Sequence, residues 1–216
     1  MKLFIWDFHG VLEKGNDQLV LDVTNRILEQ YGYRERLSKE KAKEYYGFKW
    51  YEYFEKILPP TTTTKQHKEL QSACLKYYEG NRKAYAKHIQ ANDFVIEVLG
   101  KIKDSVHDQI ILSNTRPDNL LWFLNIIGIK KYFSKAKVIG VNAHEDIMEK
   151  KDALAEYLDG RDYDEIVIIG DSESDLQLKK VAGGVTYFYH YPYLKLNKAI
   201  QADFIITDLR EVLNQL

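Results

Sequence analysis

The 216-residue sequence predicts an α/β protein: a doubly wound parallel sheet that carries an inserted all-helical domain. Three observations predict it. Short apolar runs without polar alternation recur along the chain, as strands covered on both faces require. From residue 91 onward these runs alternate with stretches of helical period. Between residues 15 and 87 that rhythm breaks, and only helical stretches can be read.

The apolar runs cover residues 2–8, 109–113, 136–141, 165–170, 184–189 and 202–207, each bounded by turn or cap residues. In the interrupting segment one helix carries Leu19, Val23, Ile27 and Leu28. A second spans 38–58 with a break at Gly47, and a third carries Leu70, Ala73, Cys74 and Tyr77. Pro59, Pro60 and the threonines after them form a linker. The division expected is a core of residues 1–14 and 89–216, with a helical domain at 15–88. In the core, Phe94, Val95, Val98, Leu99 and Ile102 keep a 3.6-residue period behind Asn92 or Asp93 as cap. Pro117 and Gly128 bracket a helix whose buried side holds Leu120, Leu121, Leu124 and Ile127. Later helices are expected near 148–158, at 174–182, and from 208 to the end.

Composition narrows the function. The net charge is −1 and Lys and Arg are spread thinly, so neither a nucleic-acid nor a membrane partner is expected. No apolar run reaches transmembrane length, and the opening MKLFIWDF turns acidic too early for a signal peptide. A cytoplasmic location is the expectation. The single cysteine, Cys74, cannot form an internal disulfide and reads as a small core residue beside Leu70, Ala73 and Tyr77. Many of the 16 tyrosines lie between Tyr31 and Tyr85, which suits helices packed through amphipathic rings; a substrate-facing lid is the alternative.

Three of the runs end in polar residues. The first ends Asp7-Phe8-His9-Gly10, the second Ser113-Asn114-Thr115-Arg116, and the fourth Gly170-Asp171-Ser172-Glu173-Ser174-Asp175. Singly, such ends are ordinary turns and caps. Jointly, on strands that would be neighbours, they gather a site beyond the carboxyl edge of the sheet.

Together these segments resemble the haloacid dehalogenase superfamily of aspartate-nucleophile hydrolases. The resemblance extends over almost the whole chain, including a helical cap inserted after the first motif. It implies a Rossmann-like core, a magnesium ion, and hydrolysis of a small phosphorylated metabolite through an aspartyl-phosphate. Asp7 takes the nucleophile's position, and Ser113 that of the hydroxyl that orients the phosphoryl group, with the Asn114 backbone beside it. Asp171 and, directly or through water, Asp175 would hold the metal with Asp7 and the backbone carbonyl of His9. The third-motif lysine maps to Lys150, three residues before Ala153, with Lys151 as the alternative. A cation there opposes the helix dipole, itself a hint of function. Gly10 allows the chain to turn tightly beside the nucleophile.

The chemistry is consistent with that pattern. Magnesium takes oxygen ligands and eases the approach of an anionic carboxylate to an anionic phosphate. Attack by Asp7 divides one hard hydrolysis into two easier steps. Ser113 and the lysine would stabilise charge on the transferring oxygens.

One residue departs from the pattern. Phosphatases that share it carry an acid–base Asp two places after the nucleophile, where this chain has His9. An imidazole can protonate a leaving oxygen and then deprotonate water, so His9 is expected to take over that work. The alternative is that it only packs under the cap. A phospho-ligand binding or regulatory protein without efficient catalysis stays open, as do phosphonate cleavage and dehalogenation. The complete pair Asp171 and Asp175 argues against the metal-free dehalogenase.

Other residues carry blander expectations. Arg116 either reaches an anion or caps the next helix. His67, His88, His107, His144 and His190 show no metal-ligand spacing and read as surface or local packing. Trp50, Tyr51, Tyr53 and Phe54 read as core of the helical domain. Glu13, where the chain leaves the sheet, has no assigned role. Substrate identity and oligomeric state are not written in the sequence.

Overall fold

The computed structural model describes residues 1–45, 48–141, 148–191 and 199–216. Gly47 and His144 lie outside them. The chain forms two compact units, Met1–Lys14 with Ala91–Leu216, and Gly15–Gln90.

The first unit is built on a six-stranded parallel sheet. Its strands are β1 (Lys2–Trp6), β4 (Asp108–Ser113), β5 (Val138–Gly140), β6 (Glu165–Gly170), β7 (Val185–Tyr189) and β8 (Phe204–Ile206). Two short strands, β2 (Glu13–Lys14) and β3 (Gln90–Ala91), mark where the chain leaves this unit and returns. The sheet order is β5-β4-β1-β6-β7-β8, which puts β1 in the middle between β4 and β6. That position explains its sequence. Leu3, Phe4, Ile5 and Trp6 alternate faces, and all four are buried because both faces are covered. Leu3 and Ile5 pack on one face with Ile110, Leu112, Leu154 and Ile168.

Helices α5 (Val95–Lys103), α6 (Pro117–Ile126), α7 (Lys150–Leu158), α8 (Glu173–Leu176) and α9 (Lys179–Ala182) accompany the strands. Three differ from expectation. The cap of α5 is neither Asn92 nor Asp93 but Phe94, in a left-handed conformation with φ of 62°. Asn92 is used elsewhere: its amide donates to the Val11 carbonyl and its side-chain oxygen accepts from the Asp93 N–H. The helix expected at 174–182 is two short ones, because the turn between them tightens to a Leu178 N–H to Asp175 carbonyl bond. The C-terminal helix is a 3₁₀ turn over Leu209–Gln215.

The second unit contains α1 (Asn16–Gln30), α2 (Lys39–Glu44), α3 (Trp50–Ile57) and α4 (Thr64–Tyr85). Thr63 and Gln66 form a reciprocal cap for α4, so the threonine run ends by starting a helix. The 3₁₀ turn Ala86–His88 still belongs here, since His88 pairs with Asp22 of α1 at 3.3 Å. The return crossing therefore falls at 90–91 rather than 88–89. Leu21, Leu37, Ala42, Tyr45 and Tyr53 form one core, with Tyr45 and Tyr53 in edge contact at 5.6 Å. Cys74 is free and fully buried, and burial pushes its thiol well up from the usual range. Among the described residues no helix is long and apolar enough to cross a membrane.

Candidate active site

Strand register brings the polar ends together. Trp6 lies opposite Ile111 of β4 on one side and Ile169 of β6 on the other. Asp7 and Asp171 therefore follow β1 and β6, and Ser113 ends β4, at one edge of three adjacent strands. The Asp7 N–H extends the ladder by donating to the Ile169 carbonyl at 2.9 Å, which fixes its backbone beside β6. After Asp7 the chain folds into a tight loop. The N–H groups of Leu12 and Glu13 both donate to the Phe8 carbonyl, and Gly10 donates to the Glu13 carbonyl. Gly10 holds φ of 88°, a conformation that side chains other than glycine's resist.

The β6 end delivers two more carboxylates. Asp175 sits at the third position of α8, buried, with one oxygen receiving the Ser172 hydroxyl at 2.5 Å and the Ser172 N–H at 3.2 Å. A side chain at Gly170 would place its Cβ 2.1 Å from that of Asp175, so glycine there is a steric requirement for this approach. One oxygen each from Asp7, Asp171 and Asp175 lie within 4.8 Å of one another.

Lys150 opens α7 and is 7% exposed. Its Nζ donates to Asp7 Oδ1 at 2.5 Å and to Asp175 Oδ1 at 2.7 Å. Lys151 points elsewhere: it is exposed and pairs with Glu149 at 2.8 Å. Of the two candidate lysines, the fold brings only Lys150 to the carboxylates.

Electrostatics follow from that crowding. Burial raises the Asp7 carboxyl to about 6; the Lys150 ammonium opposes the rise, the Asp175 charge adds to it, and His9 lowers it slightly. Asp171 is pushed well above the usual range by burial and by the charges of Asp7 and Asp175. Burial works against the charge on Lys150, yet Asp175 and Asp7 hold the ammonium above its ordinary value. Two buried acids and the half-buried Asp171 facing one buried base leave negative charge uncompensated when ionised, and oxygen donors at this spacing fit a hard divalent cation.

Ser113 is buried at the β4 end, where its hydroxyl donates to Thr115 Oγ1 at 3.2 Å and accepts from the Thr115 N–H at 3.3 Å. Asn114 next to it is exposed. His9 is 21% exposed in its side chain. Its ring meets Phe8 and Phe123 edge-on at 4.9 and 5.1 Å. Its Nδ1 stands 2.6 Å from Oε2 of Glu13, which is fully buried.

Glu13, Thr115 and Ser172 are the supporting residues that sequence reasoning left without a role. For Glu13 a signal existed: a histidine and an acid four residues apart around a turn-forming glycine.

The blander expectations can be placed as well. Arg116 pairs with Asp118 at the start of α6. His67 contacts Thr62 at 2.9 Å, and His107 accepts from the Lys2 N–H at 3.1 Å. The indole N–H of Trp50 donates to Thr24 at 2.7 Å inside the helical unit.

Residues 4–187 match the family model described as haloacid dehalogenase-like hydrolase. The chain belongs to that family. No curated protein matches it. Among solved structures, a haloacid dehalogenase-like hydrolase from Streptococcus pneumoniae aligns with TM-score 0.79 at 16% identity, covering 99% of this chain and 97% of that one. A HAD-superfamily hydrolase, subfamily IA, variant 1, from Geobacter sulfurreducens aligns with TM-score 0.69 at 20% identity, covering 100% and 96%. A protein from Clostridium acetobutylicum described as a predicted phosphatase aligns with TM-score 0.79 at 14% identity, covering 99% and 96%. At these identities the likeness concerns the fold. In this haloacid dehalogenase-like hydrolase the sheet edge with Asp7 is accordingly the candidate active site.

Proposed function

We propose that this hydrolase is a magnesium-dependent phosphatase that cleaves a small phosphomonoester, with Asp7 as nucleophile and His9 as acid and base. The observation that carries the reading is the cluster of Asp7, Asp171 and Asp175, whose oxygens lie within 4.8 Å while Lys150 spans Asp7 and Asp175. The phosphatase description of the Clostridium acetobutylicum fold relative supports it.

Asp7, Asp171, Asp175 and the His9 carbonyl would hold the ion. When bound, magnesium neutralises charge between the carboxylate and the phosphate and polarises the phosphoryl group. An Asp7 oxygen attacks phosphorus, and the ester P–O bond breaks with its electron pair on the leaving oxygen. His9 gives that oxygen a proton. Water then attacks the aspartyl-phosphate, passing a proton to His9, and the second P–O bond breaks to regenerate the Asp7 carboxylate. Ser113 and Lys150 donate to the transferring oxygens, where negative charge must be held in place.

The test is phosphate release from a panel of small phosphomonoesters with magnesium and with chelator. Release is expected to require the metal, and Asp7→Asn is expected to lower it on the order of 10⁴-fold or more while the protein stays folded. Metal-independent release, or full activity in Asp7→Asn, overturns the proposal. So does the absence of release from every ester when the protein binds vanadate, which identifies a phospho-ligand binding protein instead.

A further inference from the structure

The geometry points to Glu13 as a positioning residue that holds His9 in the ring orientation and tautomer needed to protonate the leaving oxygen. This inference rests on the phosphatase reading of the site and deepens it.

Glu13 is the most buried carboxylate in the sheet unit's described residues, with no exposed surface, and it lies four residues from His9 across the turn at Gly10. A carboxylate in an apolar setting is costly unless a donor faces it. A group that faces it is the His9 ring, with Nδ1 2.6 Å from Oε2. The loop is built to keep that contact, because Glu13 is tied through its own N–H to Phe8 and through its carbonyl to Gly10. Phe8 and Phe123, 5.8 Å apart, both pack on the ring at near-perpendicular angles and limit its movement toward them.

The chemical consequence concerns the second nitrogen. A carboxylate accepts only, so Nδ1 carries a hydrogen and donates to it, and Nε2 is the atom left to exchange a proton with substrate. In the first half-reaction the Nε2 proton goes to the departing alkoxide as the ester bond breaks. In the second, Nε2 takes a proton from the attacking water. Throughout both, Nδ1–H stays with Glu13, whose negative charge stabilises the imidazolium. The family's usual acid at this position is a carboxyl that needs no such support; an imidazole has two nitrogens and a free ring axis, so it does. Glu13 touches neither phosphate nor leaving group in this account. It acts through His9.

Protonation of the leaving oxygen matters most for alkyl phosphates, whose alkoxides leave poorly, and little for nitrophenyl phosphate. The experiment measures kcat/KM of the parent and Glu13→Gln over esters from nitrophenol to primary alcohols. The expected loss is roughly 10- to 100-fold for alkyl esters and under about threefold for nitrophenyl phosphate. In the His9→Ala background, itself slower by roughly 10²–10⁴-fold on alkyl esters, Glu13→Gln is expected to add nothing beyond about twofold. Imidazole nitrogen spectra provide a readout apart from turnover: the neutral His9 ring is expected as the Nδ1–H form in the parent and as a mixture in Glu13→Gln.

Equal losses across all esters, or a further loss in the His9→Ala background, would assign Glu13 to stability alone and overturn the inference. An unchanged tautomer in Glu13→Gln overturns it as well. A parent that releases phosphate from no ester removes the phosphatase reading, and the nitrogen spectra then still decide whether Glu13 sets the tautomer.

Discussion

The two units bury polar residues in different ways. In the helical unit the buried polar side chains among the described residues are Thr24, His67 and Gln71. Each serves local packing: Thr24 takes the Trp50 indole N–H, His67 contacts Thr62, and Gln71 accepts from the Tyr51 N–H. The sheet unit buries neutral side chains such as Asn92, Gln109 and Thr186 in the same way, but adds the charged Asp7, Glu13, Lys150 and Asp175. Charged groups are the costliest to desolvate, and apolar residues of the same volume would give an equal or more stable core. Stability alone therefore gives no reason for the charges, whereas the chemistry proposed for the strand ends would require them. The contrast separates a unit whose interior holds a shape from one whose interior holds a reactive charge pattern.

The comparison breaks most visibly at Lys150. Replacing it with Met leaves Asp7 and Asp175 facing each other without their ammonium, and breaking such a buried pair costs about 3–5 kcal/mol. Chemical denaturation of metal-free protein should show that loss, alongside a fall in turnover of roughly 10²–10³-fold. Lys151→Ala, one residue away, should leave the denaturation curve unchanged, because its partner Glu149 is exposed with it. Equal effects at the two positions would dissolve the distinction between a buried charge pattern and a solvated helix start.

In the helical unit the corresponding lesion is milder. Trp50→Phe keeps most of the ring and removes the bond to Thr24, so denaturation should show a loss of about 1 kcal/mol, up to about 3 if the orphaned hydroxyl finds no other partner. A loss of turnover larger than that stability change predicts would give Trp50 a part in the chemistry.

The smallest effect concerns a carboxylate whose shift runs opposite to that of Asp7. Asp203 accepts from the Lys179 ammonium and the Thr186 hydroxyl, and these hold its carboxyl down at about 2. A depressed folded-state value means that its contribution is present above the unfolded value near 4 and is lost as pH falls toward about 2. The group is about one third exposed, so the contribution is under about 1 kcal/mol. Asp203→Asn should therefore destabilise the protein slightly at pH 7, and the difference should vanish in acid melts. A difference that persisted below pH 2 would tie it to packing rather than charge.

Much of this was legible in the sequence, for identifiable reasons. The six strands of the parallel sheet could be read because their apolar runs lack polar alternation, most clearly in β1, β4 and β6, which are covered on both faces; β2 and β3, two residues each, are too short to show a pattern. Asp7, Ser113 and Asp171 could be placed because a parallel sheet brings strand ends to one edge. Element ends were harder. Asn92 looks like a helix cap, and its side chain is taken by Val11 and Asp93, a tertiary demand invisible to local pattern. Between Lys150 and Lys151 the choice depends on which side of α7 faces β1, a matter of packing. Glu13 escaped because its partner is reached through a glycine turn rather than a helix face.

Cys74 carries a practical consequence. It is the chain's only cysteine, fully enclosed in the helical unit, and burial suppresses the thiolate that alkylating reagents require. Reagent reaches it only when α4 parts from its neighbours, so the labelling rate counts openings of that unit directly. The protein thus contains a built-in clock for its helical half, with no thiol in the sheet half to blur the reading.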